Sequence, residues 1–141
     1  PLDIIFNKDN FLTVFNQDIV AAKKEILVVS PFVRIRRTHR MIQHLKISIG
    51  KNIRVIVVTR PKEDFPPKDN AVMQRTLDLL TDSGVSDVFK SNIHQKFAVS
   101  DQKVVWYGSI NLLSYGSAQE SIMRIDSANI ANELMKSIEV K

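Results

Sequence analysis

His94 and Lys96 stand two residues apart in a 141-residue chain that holds only three histidines. An imidazole beside an ammonium suits attack on phosphorus: the ring is the nucleophile and the ammonium holds the phosphate oxygens as charge develops. On a strand, a spacing of two puts both side chains on one face. Ser109 and Asn111 repeat the spacing and offer neutral donors to the same oxygens, and Gly108 leaves room for close backbone approach. Glu120 can accept a hydrogen bond from Nδ1 of His94, fixing the tautomer so that Nε2 attacks. Asp101, five residues past Lys96, has the wrong parity for that face and reads as structural, holding a turn or pairing locally.

Each residue alone has an ordinary reading: a strand-edge histidine, a solvated lysine, a Gly-Ser turn, a surface carboxylate. Their joint spacing singles them out. Competing chemistries have less support. The chain has no cysteine, which excludes disulfides, thiolate metal sites and a cysteine nucleophile. His39 and His44 are five apart, on different helix faces, and make a poor metal pair. No carboxylates cluster near the motif, so a two-metal phosphodiesterase is not expected. Neither GxxxxGK nor GxGxxG occurs, and no cofactor or metal is expected. Trp106 and Tyr107 follow a strand pattern that packing explains before base stacking does.

These residues need a framework, and apolar runs alternating with helical patterns predict an α/β domain. Strands are expected at Leu2–Phe6, Glu25–Ser30, Ile53–Thr59, Val85–Lys90 and Glu120–Ile125. A hairpin from His94 to Tyr107 turns at Asp101 and Gln102. Helices are expected from an Asn10 cap to Lys23, over Thr38–Ile49, from an Asp69 or Asn70 cap to Ser83, and from a Ser127 cap to Ile138. Leu112 and Leu113 follow the GSIN stretch. No repeat or second domain boundary is visible, so residues 1–141 read as one domain, with a core large enough to need no staples. The chain lacks an initiator Met and reads as a domain excised from a longer one.

Net charge is +5, and it is unevenly placed. Between Ile26 and Lys62 there are nine bases and no acid, so the rest of the chain carries eleven bases against fifteen acids. Such a segment suits an anionic partner or a solvated basic face, and Arg34, Arg36, Arg37 and Arg40 are its candidate nucleic-acid contacts. The longest wholly aliphatic runs are four residues, so no membrane span is expected, and no signal peptide is visible. The cysteine-free composition fits a reducing, cytoplasmic setting.

The stretch from His94 to Asn111 matches H-x-K, four residues, D, six residues, G-S-x-N, met by His94, Lys96, Asp101, Gly108, Ser109 and Asn111. Six specified positions match by chance on the order of once in a million for a chain this long. The stretch resembles the HKD signature of the phospholipase D superfamily, and the order of elements suits one HKD half-domain. The resemblance implies an α/β/α sandwich with a central mixed sheet of about seven strands. It also implies a covalent phosphohistidine on His94. Family members pair two HKD motifs; with one copy here, the resemblance implies a homodimer with the two His94 meeting across a two-fold axis. Length and single motif resemble the small nuclease subgroup, which points to metal-independent cleavage of DNA, with RNA as an alternative. A fused helicase, ATPase or specificity domain in a longer chain fits that expectation. The alternatives are a lipid phosphodiesterase of the same superfamily and a non-cleaving nucleic-acid-binding module. Two departures bear on the pocket wall and substrate class: Leu112 and Leu113 stand where many relatives carry an aromatic, and SAQ precedes Glu120 where an Asn-containing form is commoner.

Overall fold

A computed structural model describes residues 4–139. Along the chain lie β1 (Ile5–Asn7), α1 (Phe11–Ala21), β2 (Glu25–Val29), α2 (Ile35–Gly50), β3 (Arg54–Thr59), α3 (Asn70–Asp82), β4 (Ser86–Phe89), β5 (Phe97–Ser100), β6 (Val104–Gly108), β7 (Ser121–Asp126) and α4 (Ala128–Ser137). Two short 3-10 turns, Lys62–Asp64 and Pro67–Asp69, connect β3 to α3. The strands form one mixed sheet in the order β1-β7-β6-β5-β2-β3-β4. The α/β/α architecture is the one expected, and Leu2 and Asp3 of the first expected strand lie outside the described residues.

The aliphatic cores of β2 and β3 explain the layering. Both lack polar alternation, so both faces must be covered. They pair in parallel, with Leu27 opposite Ile56. On one face α1, α2 and α3 pack Phe15, Leu45 and Leu80 against Ile26, Val28, Val55 and Val57. On the other, Leu27, Val29, Ile56 and Val58 meet Ala131 and Met135 of α4. Each such Val, Leu, Ile, Phe or Met side chain, fully buried, stabilises the fold by about 1.5–3 kcal/mol. β2, β3 and β4 step in one direction through α2 and α3, as same-handed parallel crossovers require. The chain then returns to the far side of β2 for the antiparallel meander β5-β6-β7. No helix among the described residues is long and apolar enough to cross a membrane.

Some boundaries moved for tertiary reasons. α2 begins at Ile35, three residues before Thr38. Thr38 is fully buried and its hydroxyl donates to the Leu113 carbonyl at 3.3 Å. The Arg34 N–H donates to that carbonyl at 2.8 Å, so a buried loop sets the helix start. Asn10 fails to cap its helix; its Oδ1 accepts the Asn7 N–H at 2.8 Å. Asp69 makes no side-chain cap either. Ser127 does cap, accepting the Ile130 N–H at 3.2 Å.

Asp101 and Gln102 turn the β5–β6 hairpin with φ of 54° and 57°, the left-handed pair of a tight two-residue turn. Asp101 does more than the local pairing expected of it. Its carboxylate accepts the N–H groups of Lys23 at 3.0 Å, Lys24 at 2.8 Å and Glu25 at 3.1 Å, pinning the hairpin to the start of β2. Burial pushes this carboxyl up. The N–H groups of Lys24, Lys23 and Glu25, with the Lys24 charge, outweigh it, and the pKa lies below the ordinary carboxylate value. A depressed folded-state pKa contributes stability that is complete above the unfolded value and lost as pH falls through the folded one. Asp101→Asn keeps the left-handed turn and removes the charge. It is expected to cost about 1–2 kcal/mol at neutral pH. The gap from wild type should close in acid, below the ordinary carboxylate range, as urea titrations across that range would record.

Candidate active site at one edge of the sheet

Strand directions bring distant segments together. β5 runs antiparallel to β2, β6 to β5 and β7 to β6. The C-terminal ends of β2, β3 and β6 therefore lie at the same sheet edge as the N-terminal ends of β5 and β7. Phe32, Arg60, His94, Lys96, Ser109, Asn111 and Glu120 all occupy segments that leave or enter the sheet there. β2 has a parallel neighbour on one side and an antiparallel one on the other. Such switch points open crevices for ligands in α/β sheets.

His94 and Lys96 are not on a strand, contrary to expectation. β5 begins at Phe97, and residues 94–96 are irregular. The physical reason is their neighbour Arg60. Its side chain donates through Nε to the Ile93 carbonyl at 2.9 Å and through Nη2 to Asn92 Oδ1 at 3.2 Å, so the approach to β5 bonds to a side chain instead of a strand. The same Nη2 lies 3.3 Å from His94 Nε2. A guanidinium can only donate. The contact is a hydrogen bond in the tautomer that keeps the ring proton on Nδ1 and leaves Nε2 as acceptor.

The tautomer expected from Glu120 is thus set by Arg60. No hydrogen bond joins Glu120 to His94; Glu120 Oε2 is buried without a partner. Lys96 Nζ donates to the His94 carbonyl at 3.0 Å, and the Lys96 carbonyl faces the Gly108 N–H at 3.5 Å. Ser109 is tied to the start of β7: its Oγ accepts the Ser121 N–H at 3.2 Å and donates to the Ser121 carbonyl at 3.4 Å. Asn111 Oδ1 faces the Phe32 N–H at 3.5 Å. Leu112 and Leu113 are fully buried core residues.

Gly108 is required by the register. A Cβ there would clash with the Ser121 carbonyl oxygen and lie 2.7 Å from Ile122 Cα, both backbone atoms of the paired strand. Gly108→Ala must part β6 from β7. It is expected to cost about 3 kcal/mol or more, read as a lowered denaturation midpoint, and to displace Ser109.

Arg60, Asp64 and Asn92 were missed as site residues. Arg60 is only 9% exposed. Asp64 Oδ2 lies 3.8 Å from Arg60 Nε and accepts the Asn92 N–H at 2.7 Å, while Oδ1 accepts the Ser91 hydroxyl at 2.7 Å. The Asn92 N–H and the Ser91 hydroxyl pull the Asp64 carboxyl below its usual range. Burial opposes them, and the Arg60 charge adds to the lowering. Asn92 itself sits at φ 61°. The available signal was a charged residue directly after the aliphatic run VIVVT, where a central strand leaves the core.

The basic candidates divide. Arg34, Arg36 and Arg40 are exposed around the start of α2. Arg37 is engaged internally: its Nε donates to the Tyr115 carbonyl at 2.8 Å and its guanidinium lies 3.9 Å from the Tyr115 ring centroid. It is therefore withdrawn as a free phosphate contact.

Residues 15–140 match the family described as cardiolipin synthase, PLD-like domain. The chain belongs to the phospholipase D-like family. Comparison with curated proteins by sequence gives no significant match. Among solved structures, this phospholipase D-like chain is similar to Nuc, a phospholipase D family member from Salmonella typhimurium. The TM-score is 0.74 at 15% identity, over 94% of this chain and 88% of that one. It is also similar to NucT from Helicobacter pylori, with a TM-score of 0.75 at 15% identity over 96% and 91% of the two chains. TrmBL2, an archaeal chromatin protein described as showing a novel mode of DNA binding, matches with a TM-score of 0.62 at 10% identity, over 98% of this chain and 52% of that one. At these identities the likenesses establish the phospholipase D-like fold.

Proposed function

We propose that this domain is a metal-independent phosphodiesterase that cleaves DNA through a phosphohistidine on His94. The observation carrying this is the exposed His94 ring, with Arg60 Nη2 at its Nε2 and Lys96 Nζ on its own carbonyl, at the sheet edge where the segment carrying Asn111 also leaves the sheet. When a phosphate diester enters, its oxygens take the donors of Arg60, Lys96 and Asn111, and Nε2 is released toward phosphorus. Nε2 attacks, an N–P bond forms, and the P–O bond to the leaving nucleoside breaks. Water then attacks the phosphohistidine, the N–P bond breaks, and a phosphomonoester leaves.

One imidazole cannot attack phosphorus and also protonate the leaving oxygen. The second His94 of a homodimer enters the step as imidazolium, carrying a proton on Nε2 as well as Nδ1; it gives the Nε2 proton to the leaving oxygen and later takes one from water. A strip of exposed apolar groups supports a second copy here: Ile5, Met123 and Tyr107 are paired in register across β1, β7 and β6, beyond the cover of α4. The strip starts beside Gly108, at the sheet edge that carries His94, which favours a two-fold contact there.

DNA as substrate is supported by charge. α2 carries no acid in its first turn, and Arg34, Arg36 and Arg40 crowd its N-terminus, where the helix dipole is already positive. That arrangement opposes local helix stability, and an anionic partner relieves it. The test is cleavage of single-stranded and duplex DNA in excess EDTA. Product from either substrate is expected; intact DNA from both overturns the assignment.

A further inference from the structure

A cavity adjoins the site. It measures 610 Å³ and has Asn111 in its wall, within the size range of pockets that take small organic ligands. Phe32 and Phe65 line it, ring edge to face at 5.9 Å and 70°. The guanidinium of Arg60 lies 5.3 Å from the Phe32 ring centroid, so the residue touching His94 also braces this ring. Three large apolar side chains in the same wall stay exposed: Phe32 at 38%, Ile35 at 44% and Val72 at 45%. A cluster of exposed apolar side chains in one cavity marks a binding surface. Arg34 and Asp69 also line it.

We propose that this cavity receives a nucleobase of the substrate strand, next to the scissile phosphate, stacked on Phe32. The proposal rests on the nuclease assignment and names the part of the substrate that assignment leaves open. Continuity with the site favours a base over an unrelated ligand: Asn111 belongs to both, and its Oδ1 faces the Phe32 N–H at 3.5 Å. A base offers a flat apolar face to Phe32 and a polar edge to Asp69 or Arg34. An acyl chain would leave those two groups unused in an apolar contact. A base inside the cavity is out of a duplex stack, so single strands are the favoured substrate.

The test pairs substrates with variants. Single-stranded oligonucleotides carry one abasic residue, moved stepwise past the cleavage point. At one position, loss of the base is expected to lower wild-type kcat/KM about tenfold, the usual worth of one base–aromatic stack. Phe32→Ala should lower cleavage of the intact strand by a similar factor and cleave the abasic strand like wild type. Phe32→Leu keeps apolar volume and deletes the π face; it should resemble the Ala variant. Equal discrimination by wild type and both variants overturns the proposal. A 5-iodouracil strand irradiated with the His94→Ala protein should crosslink to Phe32 or Phe65, a readout independent of turnover. Crosslinks only outside the cavity overturn it as well. So does an uncrosslinked cavity that takes up short-chain phosphatidylglycerol. If the nuclease assignment alone is wrong, the crosslink forms while wild type leaves every strand intact.

Discussion

His94→Ala is expected to lower kcat/KM for DNA cleavage by about 10⁴-fold or more while the protein stays folded. On the proposed mechanism Arg60, Lys96 and Asn111 hold the phosphate, and the Ser109 hydroxyl at the same edge is tied to the Ser121 backbone, so no other group there takes over the attack. The ring is exposed and supports no core contact, so thermal stability should hardly change. Brief mixing with internally ³²P-labelled DNA should leave an alkali-stable, acid-labile label on wild type and none on the variant. Subunit exchange adds a test of the dimer. If both imidazoles of a pair are needed, an equal mixture of wild type and variant should retain about one quarter of the activity of the same total protein, because mixed pairs are dead. Retention of about one half would mean that each subunit works alone.

Arg60→Ala should lower kcat/KM by about 10²–10³-fold, the usual effect of removing one preorganised donor from a site where charge develops. Two losses combine. The phosphate loses a guanidinium, and Nε2 loses the donor that holds the ring proton on Nδ1. The variant also leaves the Ile93 carbonyl and Asn92 Oδ1 without their donor. Some loss of stability follows, so a fall in rate alone is ambiguous. Arg60→Lys restores charge without the planar fork and should recover only part of the rate. The ¹⁵N signals of the His94 ring separate positioning from folding. Wild type should show an unprotonated Nε2, and Arg60→Ala a mixture of tautomers. Wild-type rate together with a wild-type tautomer in Arg60→Ala would remove Arg60 from the site.

Much of this protein was legible in one dimension. Aliphatic runs at Ile26–Val29 and Val55–Val58 require two covered faces, and that requirement implies the layered fold. The spacing from His94 to Asn111 is a chemical pattern that chance seldom produces, and it carries the family resemblance. A two-residue turn at Asp101 and a Ser127 cap are local chemistry, and local chemistry reads well. What the chain could not show were partners distant in sequence. Asp101 binds the backbone of Lys23 to Glu25, and the Thr38 hydroxyl turns to the Leu113 carbonyl. Arg37 is spent on Tyr115, and Glu120 makes no bond to His94. Arg60 sits 34 residues before His94 and was one base among nine until strand order put both at the same edge. A hydrogen bond depends on positions to within a few tenths of an ångström. Such positions follow from how strands pair and helices pack, which no spacing along the chain encodes.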